Sequence, residues 1–74
     1  MTAVQVVYVT STDDGLGTLI GRVFSNLPAA REYCRRQHGV ASLKTLDRKI
    51  WRGVAAHGYH VCVHKMPVFL GAAS

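Results

Sequence analysis

Apolar and polar positions alternate along both ends of the chain and fall at helical spacing near its middle, so the pattern predicts strands on either side of one helix. The run from Ala3 to Thr12 is rich in Val, with Tyr8 and Thr10, and has the β-branched character of a half-covered strand. Asp13-Asp14-Gly15-Leu16-Gly17 supplies turn chemistry, and Thr18 to Phe24 returns as a second strand, giving a hairpin over 3–25. Gly21 inside that strand predicts a bulge or a close backbone approach.

A helix is expected over 26–38, with Ser25 or Asn26 as its N-cap, Pro28 in the first turn and Gly39 ending it. Leu27, Ala30 and Cys34 fall at i, i+3 and i+7 and form its buried stripe, leaving Arg31, Arg35 and Arg36 toward solvent. The segment 39–49 reads as an irregular basic connector. Leu43, Leu46, Ile50 and Val54 also have helical spacing with Ser42 as a cap, so a second helix competes there, but Gly53 argues against it.

Residues 50–66 read as a second hairpin turning at His57-Gly58, because a Gly in such a turn supplies positive φ without steric cost. The two-residue turn pairs Ala56 with Tyr59, Val54 with Val61, Arg52 with Val63 and Ile50 with Lys65. The opposite face then carries Trp51, Gly53 and Ala55 beside His60, Cys62 and His64, with Trp51 across from His64. Pro67 limits further pairing, leaving an apolar tail over 67–74 in which Val68, Phe69 and Leu70 need cover and point to a homodimer. The expected fold is a single α+β domain: a four-stranded, mainly antiparallel sheet from two hairpins, ββαββ, with one helix packed on one face.

Composition adds bounds. At 74 residues the chain buries one small core, and its two Cys are too few for a disulfide framework. It has no basic region before its first apolar run and no stretch of ~20 apolar residues, so a soluble cytoplasmic protein with reduced thiols and no membrane partner is expected. Nine Lys and Arg against four Asp and Glu give +5, which favours anionic partners.

The candidate chemistry is sparse. Cys34 and His38 lie at i, i+4, and His60, Cys62 and His64 alternate on one strand, so a zinc site can be drawn from these five; the hairpin register turns Cys62 away from Cys34, and the spacing matches no short zinc-finger pattern. No metal or other cofactor is therefore expected. A Cys with a nearby His lacks an orienting acid and an oxyanion hole, which points away from an enzyme. Trp51 with His60 and His64 has the make-up of a protein-binding anchor. Arg31, Arg35, Arg36, Arg48, Lys49 and Arg52 supply the alternative, a nucleic-acid-binding surface without any recognised motif.

Tyr8-Val9-Thr10-Ser11, the Asp14-Gly15 turn, Val23-Phe24-Ser25 and Ala29-Ala30 give residues 4 to 66 a resemblance to short phage and prophage proteins built as a hairpin, a helix and a second hairpin. In size and architecture the chain is similar to small phage inhibitors of bacterial defence, the anti-CRISPR proteins among them. The resemblance implies a non-enzymatic accessory protein that docks on a larger host protein or complex in the host cytoplasm. It assigns no functional residue.

Overall fold

The computed structural model describes residues 4–69. They form five strands and one helix: β1 Val4–Asp13, β2 Thr18–Phe24, α1 Leu27–His38, β3 Lys44–Asp47, β4 Ile50–Val54 and β5 His60–Phe69. All strands join one antiparallel sheet in the order β2-β1-β5-β4-β3. The expected α+β class holds, but the sheet has five strands where four were expected. The extra strand is β3, inside the segment read as a connector: 39–43 is irregular as expected and 48–49 is a turn, but 44–47 pairs as a strand, and no second helix forms there. Its four residues are all exposed, so burial imposes no alternation on them and the sequence carries no strand pattern.

The first hairpin forms as expected. Asp13 and Asp14 each accept a hydrogen bond from the backbone two residues on, at Gly15 and Leu16, holding the turn. The β1–β2 register shifts between Val9 and Ser11, so that Thr10 faces two residues of β2. Thr10 Oγ1 fills the interruption, accepting from the Arg22 N–H at 2.8 Å and donating to the Arg22 carbonyl at 2.9 Å. A Cβ on Gly21 would lie 2.6 Å from that hydroxyl, which is why the position needs Gly.

Asn26 caps α1 through its side-chain oxygen, which accepts from the Ala29 N–H, and Pro28 sits in the first turn. Gly39 closes the helix at φ 69°. Arg35, Arg36 and His38 occupy the last turn, where positive charge complements the helix dipole. Ala30 and Cys34 are fully buried, as the stripe predicts.

The second hairpin forms with a different register. Gly58, at φ 93°, donates to the Ala55 carbonyl, and the Ala55 N–H donates to Tyr59, so the loop has three residues instead of two. Trp51 pairs with Val63, Arg52 with Cys62, Gly53 with Val61 and Val54 with His60. A slip of one residue exchanges the two faces of β4 relative to β5. Trp51, Gly53 and Ala55 therefore join Val61 and Val63 on the helix side of the sheet, while Ile50, Arg52 and Val54 share the far face with His60, Cys62 and His64. Trp51 is 9% exposed and packs on Tyr8 with ring centroids 5.9 Å apart, correcting the expectation of an exposed Trp beside the histidines.

Pro67 does not end the last strand. β5 runs on to Phe69, paired with β1 as far as Val4. The Lys65 N–H donates to Lys49 on the β4 side. Pro67, two residues on, turns its nitrogen the same way at a point β4 does not reach, so its missing N–H costs no ladder bond. Val68 thus belongs to the sheet; Leu70 and the rest of the expected tail lie outside the described residues.

The core lies on one side of the sheet only. Ala30, Cys34, Val40, Trp51, Ala55, Val61 and Val63 form it, with Tyr8, Phe24, Leu27, Tyr33, Leu43 and Tyr59 packed around. Gly53 admits Val40 and Ser42 so closely that a Cβ would stand 2.5 Å from a Val40 methyl.

Candidate functional site

The face of the sheet away from the helix has no covering layer among the described residues. Reading the register across β2, β1, β5 and β4 gives three rows: Val23, Val9, His64 and Ile50; Ile20, Ser11, Cys62 and Arg52; Thr18, Asp13, His60 and Val54. Lys44 of β3 extends the middle row, paired with Arg52. Val7 with Met66 and Gln5 with Val68 continue the face along β1 and β5. Ile20, Val23, Val54 and Met66 expose 68, 57, 56 and 48% of their surface. Apolar side chains scattered singly over a surface are ordinary; here four large ones, spread over β2, β5 and β4, stand on the same face, a feature that interaction surfaces carry.

His60 and His64 lie on this face, as expected, with Cys62 between them and Ser11 and Arg52 on its flanks. Trp51 does not join them. The sheet stands between, and the anchor of Trp51, His60 and His64 read from the sequence does not assemble, because the three-residue loop shifts β4 by one position.

The five residues from which a zinc site can be drawn are likewise divided. Cys34 and His38 are on the helix side and His60, Cys62 and His64 on the open side, and no three His, Cys, Asp or Glu side chains gather as a metal site among the described residues. Cys34 is buried, and burial, with a smaller contribution from the Cys62 thiol, pushes its pKa up to about 11. That is the opposite of the shift that activates a thiol nucleophile. His38 Nδ1 lies 2.7 Å from the Tyr59 hydroxyl, and its ring meets Tyr33 and Tyr59 edge-on, which fastens the helix end to the second hairpin.

The six basic residues grouped as a nucleic-acid surface are spread over three places. Arg31, Arg35 and Arg36 are on the outer side of the helix, Arg48 and Lys49 in the β3–β4 turn, and Arg52 on the open sheet face. Glu32 reaches both Arg35 and Arg36, so two of the three helix arginines are paired. The hydrogen bond from Arg35, helped by Arg36, holds the Glu32 carboxyl below its ordinary range. With Trp51 buried, the exposed aromatic that base stacking requires is missing from this set.

No family model, curated protein or solved structure matches this chain. Its function has to be argued from the sheet itself. No helix among the described residues is long and apolar enough to cross a membrane.

One group on the open face escaped the sequence reading. Lys44, Leu46, Arg52, Val54 and His60, with Ala41 and Ser42 at the rim, line an open recess of about 400 Å³. Lys44 meets Arg52 only because β3 exists, so the recess stays hidden from any reading that lacks that strand.

Proposed function

We propose that this chain is a non-enzymatic protein-binding module that docks through the open face of its sheet. The carrying observation is the exposed set Ile20, Val23, Val54 and Met66 on the face away from the helix and the core. An antiparallel sheet can live with one side in water when that side is polar. Here apolar side chains alternate outward as well as inward, and covering them returns the usual free energy of apolar burial. His60 and His64 add polar contacts within the patch, and Cys62 sits at its centre. The occupant is a separate protein, in keeping with the resemblance to phage proteins that act on host complexes.

The test replaces the apolar contacts without touching the core. Val23→Glu with Val54→Glu leaves the melting transition in place but removes the protein that the tagged wild-type chain retains from cells. Reversal of Arg31 and Arg35 leaves that capture intact. If the helix reversals abolish capture and the face variants do not, the open face is not the docking surface. Light scattering on the free chain covers the remaining occupant: a dimer dispersed by the face variants makes a second copy the partner.

A further inference from the structure

The recess at the β3 end of the open face has a charge arrangement that its own chain does not resolve. Lys44 and Arg52 are directly paired across β3 and β4, and like charges placed opposite each other on a sheet are unfavourable. Among the described residues the ion pairs are those of Glu32 with Arg35 and Arg36, and neither Lys44 nor Arg52 takes part in one. Two carboxylates lie nearby. Asp13, across from His60, accepts from the Gly15 N–H, and Asp47, in the β3–β4 turn, accepts from the Arg48 N–H. Both serve turns, and neither forms an ion pair with Lys44 or Arg52. An edge Lys by itself has an ordinary explanation, since charge on an edge strand discourages unwanted pairing. Arg52 is on the inner neighbour of that edge, so edge protection does not account for the pair.

We infer that the recess formed by Lys44, Arg52 and His60 binds an acidic, extended peptide segment, added beside β3 with its carboxylates against the two cations. This rests on the open face being a protein-docking surface and names the chemistry of what docks at one end of it. Three features define the occupant. β3 ends the sheet, so its outer backbone groups have no neighbouring strand and can pair with one. A strand added there directs every second side chain to the open face, one of them next to Lys44, with Leu46, at the irregularity of β3, beyond it along the recess. Leu46 and Val54, exposed by 58 and 56%, form apolar walls around the cations. A segment that presents an acidic side chain, then an apolar one two residues on, therefore matches both the charge and the spacing.

The experiment follows backbone amide shifts of the isotopically labelled chain during titration with a blocked heptapeptide, Thr-Glu-Thr-Glu-Thr-Leu-Thr, at low salt. Saturable shifts are expected at β3 and at Arg52, Val54 and His60. The paired substitution Lys44→Gln and Arg52→Gln should weaken binding by about tenfold or more, because charge-assisted hydrogen bonds are lost. A peptide with Gln in place of Glu should bind no better than that variant. The inference is overturned if the Gln peptide binds equally, if the shifts fall on Arg31 and Arg35, or if a short oligothymidylate takes the same residues more tightly than the peptide. Val23, on β2 at the opposite edge of the sheet, separates this failure from that of the docking face. A failed peptide titration with capture still abolished by Val23→Glu removes the recess and keeps the face; if both fail, the face itself is wrong.

Discussion

The two faces of the sheet carry similar side chains and have opposite fates. At the centre of the helix side, Val61 and Val63 are fully buried, Trp51 nearly so, and Thr10 satisfies the interrupted edge of β2; only toward the ends of the sheet do Val6 and Leu19 on that side stay exposed. Across the sheet, Val23, Val54 and Met66 extend from the same or neighbouring strands into solvent. Alternation says which residues share a face. It does not say which face is covered, because cover comes from an element elsewhere in the chain, and the described residues hold one helix. The other face, apolar in part, has no cover among the described residues.

The sharpest break in the comparison is a truncation on each side. Trp51→Ala is expected to cost about 3–5 kcal/mol, enough to unfold much of a small domain, whereas Val54→Ala should change stability by no more than about 0.5 kcal/mol. Urea denaturation of both variants checks this. Equal losses at the two positions would mean that the open face is structural cover after all.

The cysteines extend the contrast to chemistry. Below about pH 8 Cys34 is protonated in both folded and unfolded chains and has no effect on pH dependence. As the pH rises from about 9 toward 11 the unfolded thiol ionises first, so the folded state loses up to about 2–3 kcal/mol. Cys34→Ala should flatten the stability curve over that window. At pH 8 a maleimide should label Cys62, on the open face, well before Cys34.

Thr10→Val tests the polar seal of the covered face. It leaves the Arg22 N–H and carbonyl without their hydroxyl partner and should cost about 1–2 kcal/mol, with faster amide exchange along β2. The smallest effect belongs to the outer surface of the helix. Glu32 titrates below its ordinary value when folded, so its contribution is present above the unfolded carboxyl pKa and fades as the pH falls through the folded one. Glu32→Gln should remove that slight acid slope in the thermal midpoint and change little else.

How much of this was legible in the sequence follows from what each element depends on. The helix was fully readable, because Asn26, Pro28, the stripe of Ala30 and Cys34, and Gly39 act locally. The first hairpin and the close approach at Gly21 were readable for the same reason. The second hairpin was readable as a hairpin but not in register. Ala56-His57-Gly58 serves a three-residue loop as well as His57-Gly58 serves a two-residue one, and β4 offers small or apolar residues to both faces. That one position decided the candidate site, separating Trp51 from His60 and His64. β3 was not readable, since an exposed edge strand of four residues needs no pattern, and the Lys44–Arg52 recess was lost with it. The run of β5 past Pro67 depends on where β4 begins, which is again a matter of tertiary structure.

The account stands or falls on whether the open face is where another protein sits. The direct measurement places a photo-reactive benzoylphenylalanine in turn at Val23, Val54, Arg31 and Leu16, and irradiates cells that make each variant. The account predicts one discrete protein adduct from Val23 and Val54 and none from Arg31 on the helix or Leu16 in the first turn. An adduct that forms from Arg31 and is absent from both sheet positions would contradict it and move the binding surface to the helix.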